Sequence, residues 1–267
     1  MSGASPSACA TGGRPGRAAP RTRRKAAGGA ARMVEPSPGA ARRPASGFPS
    51  RPSRPVQAVL FDLDGTLLDS GPLILRTYQD VLKEHLGIEA SPGDILAHFG
   101  KTLAETFAAF APRPEMVPDL VRAYRARNLE LHDRMARPVP GAADTVAALR
   151  SAGRRLAVVT TKRRAMAMRG LALMGLDDAF DTIITFEDVT AHKPDPEGVL
   201  KALAHLGAAP AAAVVVGDTP AGILAGRRAG ATPVAVGWTL VPGDLLRRAG
   251  PAAVIDDWSQ LLALAGL

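Results

Sequence analysis

The sequence predicts a doubly wound, Rossmann-like parallel α/β sheet with an inserted helical cap, and three observations lead there. Six short apolar runs recur between residues 56 and 255, each continuous rather than alternating. Strands covered by helices on both faces read that way. Amphipathic stretches separate the runs, and several end in glycine, the usual residue for closing a helix. The gap between the first two runs is too long for one crossover and carries helical periodicity instead.

In chain order, the strands fall at 56–61 (VQAVLF), 156–160 (LAVVT), 182–185 (TIIT), 213–217 (AVVVG), 233–237 (PVAVG) and 253–255 (AVI). The helices between them are ADTVAALRSAG, RAMAMRGLALMG, EGVLKALAHLG and AGILAGRRAG. Within residues 71–137, Ile74, Tyr78, Val81 and Leu82 share one helical face. Leu103, Phe107 and Phe110 share a second, and Val117, Leu120, Val121 and Tyr124 a third. This segment is read as a cap above the sheet, rejoining it at RPVPG (137–141), with residues 56–70 and 138–267 as the core.

The formal charge of +8 over 267 residues suggests a nucleic-acid partner until it is located. Residues 1–55 hold eleven Lys/Arg and one acid, Glu35, which leaves 22 basic and 24 acidic residues for the rest. Positive charge thus belongs to a tail of Ala, Gly, Pro, Ser and Arg, too poor in apolar side chains to offset its ordering entropy and predicted to be disordered. A solvated extension, or a start upstream of the working one with Met33 as alternative, is the leading expectation. A loose polyanion contact and a targeting peptide are the alternatives. RTRRK has twin arginines without the apolar stretch that export requires. Nucleic acid is therefore not expected as a partner of the folded part. Cys9, in the tail, is the single cysteine, so neither an internal disulfide nor a thiolate metal site is expected. No apolar run reaches membrane-spanning length, and a cytoplasmic protein is expected, monomer and homodimer both remaining open.

Chemistry gathers at the strand ends. FDLDGTLLDS (61–70) puts Asp62 and Asp64 two residues apart where the first strand stops. An Asp-Gly turn accounts for Asp64 and Gly65. It does not account for Asp62, an acid interrupting a buried apolar run. The second strand ends in Thr160, followed by Thr161 and Lys162. In HKPDPEG (192–198), Asp195 is read as a helix N-cap and Pro196 as the first helical residue, which leaves Lys193 with no structural task. Asp218 ends the strand AVVVG, with Thr219 as N-cap and Pro220 behind it. Ligands of such sheets bind beyond these carboxyl ends.

Two acids, a hydroxyl, a lysine and a third acid in that order resemble the haloacid dehalogenase (HAD) superfamily of phosphohydrolases, over nearly all of 56–267. The resemblance implies that Asp62 attacks phosphorus and that Asp64 acts as general acid and then base. It also implies Mg²⁺ held by the Asp62 carboxylate, the Asp64 backbone carbonyl and Asp218. Thr160, with backbone N–H groups near Gly65 and Thr161, would hold phosphoryl oxygens, and Lys193 would neutralise them. Asp64 points to phosphoryl transfer, because the original dehalogenases lack that acid.

VVTTKRRAMAMRGL, HKPDPEGVLKAL, GWTL and HFGKTLAETF resemble the bacterial HAD-type pyrophosphatases and also the phosphoglycolate phosphatases. A small phosphorylated substrate is implied, with Lys101 in a cap loop facing it. Lys162 and Arg163 are further candidates to face it, although Arg163 and Arg164 are read first as the exposed start of a helix, and Trp238 is read as a packing residue. A sugar phosphatase or phosphomutase on the same scaffold is the alternative, as is a catalytically weakened binding protein. The five histidines show no metal-ligand spacing. One departure stands out: the family's acidic motif carries a second Asp four residues after the first, and here that place is Gly222. Asp188, five residues before Lys193, is the candidate to compensate.

Overall fold

The computed structural model describes residues 55–267; the basic tail, with Cys9 and Met33, lies outside the described residues. Six parallel strands form one sheet: β1 (Ala58–Phe61), β4 (Arg155–Val159), β5 (Thr182–Ile184), β6 (Ala213–Gly217), β7 (Thr232–Val236) and β8 (Ala253–Ile255). Their order is β5-β4-β1-β6-β7-β8. The chain therefore winds outward from β1 to one edge and then, from β6, to the other. The reversal opens a crevice at the carboxyl ends of β1, β4 and β6.

Alternation of side chains across the strands divides the interior in two. Val59, Phe61, Val158, Val214 and Val216 point to one face, where they pack with Val146 and Leu149 of α5 (Ala142–Ser151), Leu171 of α6 (Arg164–Leu173) and Leu261 of α10 (Trp258–Leu264). Ala58, Leu60, Ala157, Val159 and Val215 point to the other, against Val199 and Leu203 of α7 (Glu197–Leu206) and Ala225 of α8 (Pro220–Arg228). The central strands are buried on both sides, which is why they do not alternate in sequence, whereas the edge strands β5 and β8 are only partly covered. A further helix, α9 (Gly243–Arg248), lies between β7 and β8.

Between β1 and β4 the chain forms α1 (Gly71–Leu86), α2 (Pro92–Leu96), α3 (Leu103–Ala108) and α4 (Val117–Met135). These helices share a core of their own around Tyr78, Leu82, Ile95, Phe107, Leu120 and Tyr124. Three rings meet inside it: Tyr78 lies 4.6 Å from Tyr124 and 5.1 Å from Phe107, between ring centres. The insertion leaves and rejoins the sheet through a two-residue antiparallel ribbon, β2 (Leu68–Asp69) against β3 (Arg137–Pro138). Arg169 of α6 grips Asp133, near the end of α4, through two hydrogen bonds of 2.8 and 2.6 Å.

One local reading needs correction, at the start of α7, and two short elements carry no periodic signal in the sequence. Neither the ribbon nor α2 is signalled by hydrophobic periodicity, being too short for any. Pro196 is the N-cap of α7, not its first residue, and helix begins at Glu197. Asp195 still supplies an N-terminal bond, accepting the Glu197 N–H at 2.9 Å. At α8 the expected cap forms: Thr219 Oγ1 accepts the Gly222 N–H at 3.2 Å. Among the described residues, no helix is long and apolar enough to cross a membrane.

Candidate active site

A cavity of ≈ 1060 Å³ separates the helical insertion from the carboxyl ends of the strands. Asp62, Asp64, Thr160 and Asp218 reach it from below, and Lys101 and Tyr124 from the insertion. Asp62 is one residue past β1, its N–H still donating to Val216 O at 2.8 Å. Its Oδ1 accepts the Leu63 N–H at 2.8 Å, and its Oδ2 lies 2.7 Å from Lys193 Nζ. Nucleophile candidate and lysine candidate, far apart in sequence, form one ion pair.

Asp64 turns its carboxylate elsewhere. Its Oδ1 accepts Ser70 Oγ–H at 2.6 Å and an N–H of Lys162 Nζ at 2.6 Å. Ser70 occupies the N-cap position of α1 but makes no side-chain cap bond. Its hydroxyl is used on the acid instead. Among the described residues no three His, Cys, Asp or Glu side chains converge as a metal cluster.

Asp218 is 3% exposed and ends β6. Its Oδ2 accepts Thr239 Oγ1–H at 3.1 Å, while its buried Oδ1 has no hydrogen-bond partner. Burial pushes this carboxyl up to about 8, and the negative charge of Asp62 adds to the effect. A buried carboxylate oxygen lacking any donor, beside a second carboxylate, is the donor set a hard divalent cation needs. The residues fit such an ion.

The sign of that shift gives a prediction for the cation-free protein. The ordinary value is 3.8 and the folded value about 8, so folding favours the protonated acid. The stability this contributes is complete below about pH 4 and is lost as pH rises towards 8. Thermal midpoints in EDTA should fall between pH 5 and 8.5, more steeply than in Asp218→Asn, and added Mg²⁺ should restore them at high pH. Equal slopes in the two proteins would refute the assignment.

Backbone turns complete the floor. Gly65 has φ +72°, and a Cβ there would stand 1.9 Å from Asp218 Oδ2. The turn thus requires glycine both for its conformation and for room. The Gly65 N–H donates to Leu68 O at 2.8 Å, so this residue brings space rather than a free donor. Thr160 is buried, its Oγ1 accepting the Lys162 N–H at 3.1 Å, and Thr161 lines the cavity beside it.

From the insertion, Lys101 Nζ donates to His98 Nδ1 at 3.2 Å. Burial and the nearby Lys101 both hold the His98 imidazole below its ordinary value. Gly100, at φ +86°, lies so close to α8 that a Cβ would meet Thr219 Oγ1 at 2.8 Å and the Ala221 Cβ at 3.2 Å. The Lys101 loop therefore rests directly on the residues after Asp218.

Gly222 faces the same centre. A Cβ there would lie 3.7 Å from Asp62 Oδ2, 4.0 Å from Lys193 Nζ and 3.3 Å from Thr219 Oγ1. Asp188 does not stand in for the missing acid, because its Oδ2 is taken by Thr185 and by Arg164. Trp238 packs, as expected, on Trp258 at 4.6 Å and donates to Thr66 O at 3.3 Å. Ser70, Thr239, His98 and His192 were not singled out by sequence, yet the first two bind the acids and the histidines line the cavity.

Comparison with known proteins places this arrangement. The model of the haloacid dehalogenase-like hydrolase family matches residues 59–236. Pyrophosphatase PpaX of Bacillus velezensis is 37% identical over 212 residues, 79% of this chain and 97% of its own. CbbY of Rhodobacter sphaeroides, solved in complex with phosphate, superposes with a TM-score of 0.66 at 28% identity, covering 79% of this chain and 100% of that one. A Haemophilus somnus protein predicted to be a phosphoglycolate phosphatase shares the fold, with a TM-score of 0.70 at 23% identity over 79% of this chain and 99% of that one. The chain belongs to the haloacid dehalogenase-like hydrolase family.

Proposed function

We propose that this phosphatase hydrolyses a small phosphorylated metabolite, pyrophosphate or phosphoglycolate, through a phosphoaspartyl intermediate on Asp62. The observation that carries the reading is the ion pair of Asp62, which lines the cavity floor, with Lys193 behind it, beside the half-satisfied Asp218. In this reading, an Asp62 oxygen attacks phosphorus while Lys193 balances the charge on the phosphoryl oxygens. Asp64 gives a proton to the leaving oxygen as its bond to phosphorus breaks. It then takes a proton from the water that hydrolyses the aspartyl phosphate. Thr160 and the Thr161 N–H hold phosphoryl oxygens. Asp62, the Asp64 carbonyl and Asp218 would hold Mg²⁺, which supplies positive charge at the phosphoryl group. The insertion acts as a cap that keeps bulk water out.

A second reading rests on size. The cavity is at the upper limit of ordinary ligand sites, and Ile74, Val121, Leu129 and Leu240 give it apolar walls. That favours an organic phosphate, as in a sugar phosphatase or phosphomutase. Phosphate release by the full chain across a Mg²⁺ titration, with pyrophosphate, phosphoglycolate and hexose phosphates, separates the readings. Silence with all of them would overturn both and favour a binding protein.

Gly222 makes a further prediction. Its backbone has no positive φ, and only the Thr219 hydroxyl is tight against an added Cβ, so a Cβ fits after a shift of a few tenths of an ångström. The carboxylate of an aspartate there would give Lys193 a second partner and free Asp62 for phosphorus. Gly222→Asp is expected to lower the Mg²⁺ concentration at half-maximal turnover by about 10–100-fold, the usual weight of such supporting groups. An unchanged titration would mean that this position has no part in the site.

A further inference from the structure

Two lysines of the core reach the acids of the site, and each is paired with a different carboxylate. Lys193 lies on Asp62, and Lys162 Nζ lies 2.6 Å from Asp64 Oδ1. The first is absorbed by the proposed chemistry; the second is not. The Lys162 side chain is only 11% exposed, and drawing an ammonium that far from water is unfavourable unless its donors are used. An ammonium has three N–H donors. Among the described residues, Asp64 Oδ1 is the only hydrogen-bond acceptor that Lys162 Nζ meets, and that oxygen already accepts from Ser70. Two donors of a nearly buried cation are left for the cavity, which Lys162 lines.

What they meet follows from the phosphatase reading, on which this inference rests. The scissile P–O bond must lie between Asp62, which attacks phosphorus, and Asp64, which touches the leaving oxygen. When that bond breaks, its electron pair stays on the leaving oxygen, which takes the Asp64 proton, and phosphorus stays bonded to Asp62. The lysine on Asp62 therefore faces the transferred phosphoryl group. The lysine on Asp64 faces the leaving group. Two other cations on the core wall are engaged: Arg163 pairs with Glu187 at 2.7 Å and Arg169 with Asp133 at 2.6 Å.

We infer that Lys162 is a specificity-determining residue that binds a second anion on the leaving side of the scissile bond. Diphosphates and phosphorylated acids are then preferred over phosphates of neutral alcohols.

The test compares phosphoglycolate with 2-hydroxyethyl phosphate, which lacks only the second anion, alongside pyrophosphate. Lys162→Met should lower kcat/KM for pyrophosphate and phosphoglycolate by about 10–100-fold, mainly through KM, the weight of a charge-assisted hydrogen bond. For 2-hydroxyethyl phosphate the change should stay below about threefold. Lys162→Arg should recover much of the loss, since it restores the charge. By calorimetry, Lys162→Met should weaken methylenediphosphonate but not inorganic phosphate. Equal losses on all three substrates would show that Lys162 only orients Asp64, and would overturn the inference, as would no loss at all. If Lys162→Met does not fold, Lys162→Gln, which keeps a donor for Asp64, is read by the same criteria. Wild-type protein inert on every substrate would instead overturn the phosphatase reading, and this inference with it.

Discussion

Asp62→Asn is expected to lower kcat by on the order of 10⁵-fold, because in the proposed mechanism its carboxylate forms the covalent intermediate. The substitution is nearly isosteric, and the amide oxygen can still accept the Leu63 N–H now held by Oδ1. The other position then presents an NH₂ to Lys193 Nζ where Oδ2 stood at 2.7 Å. Two donors facing each other repel, so Lys193 should leave its place and binding of inorganic phosphate should also change. Labelled phosphate from substrate should appear on the wild-type protein and not on Asp62→Asn. A variant that keeps even a hundredth of wild-type turnover would rule out Asp62 as nucleophile.

Asp64→Asn carries the second largest effect, about 10²–10⁴-fold, and its size should depend on the leaving group. With phosphoglycolate the alkoxide departs poorly without a proton, so phosphoryl transfer to Asp62 becomes limiting. With p-nitrophenyl phosphate the leaving group needs no proton, and that first step should survive. Hydrolysis of the aspartyl phosphate still lacks its base. The variant should therefore release one equivalent of nitrophenol per site in a burst and then stall, with phosphoenzyme accumulating. Slow, linear release without a burst would place the acid–base role elsewhere, despite the hydrogen bonds that Ser70 and Lys162 make to this carboxylate.

The sheet could be read from the sequence because its central strands are buried on both faces, so each appears as an unbroken apolar run. AVVVG at 213–217 matches β6 residue for residue, whereas β1 begins two residues later than expected. Where elements are short the apolar pattern gives nothing. α2 is five residues long, and its sequence marks are the reciprocal pair Ser91 and Asp94 and Pro92 at its start. The ribbon of Leu68–Asp69 with Arg137–Pro138 has no pattern at all. The acids of the site were legible for a different reason: a charge that ends a buried run has a large desolvation cost and requires a purpose. Ser70 and Thr239 escaped notice because a hydroxyl beside a helix start or turn is expected there anyway. Only the fold shows that each is spent on a carboxylate.

The seating of Gly100 on Thr219 and Ala221 has a kinetic consequence. The loop that bears Lys101 lies against the backbone beyond Asp218, so a displacement of Gly100 from α8 is expected to open the cavity and that backbone to solvent together. Residence times measured at the two places should then be correlated: a side chain that props this contact apart shortens both, and one that tightens it lengthens both. Throughput and retention are then expected to change together through the seat of Gly100 on Thr219 and Ala221.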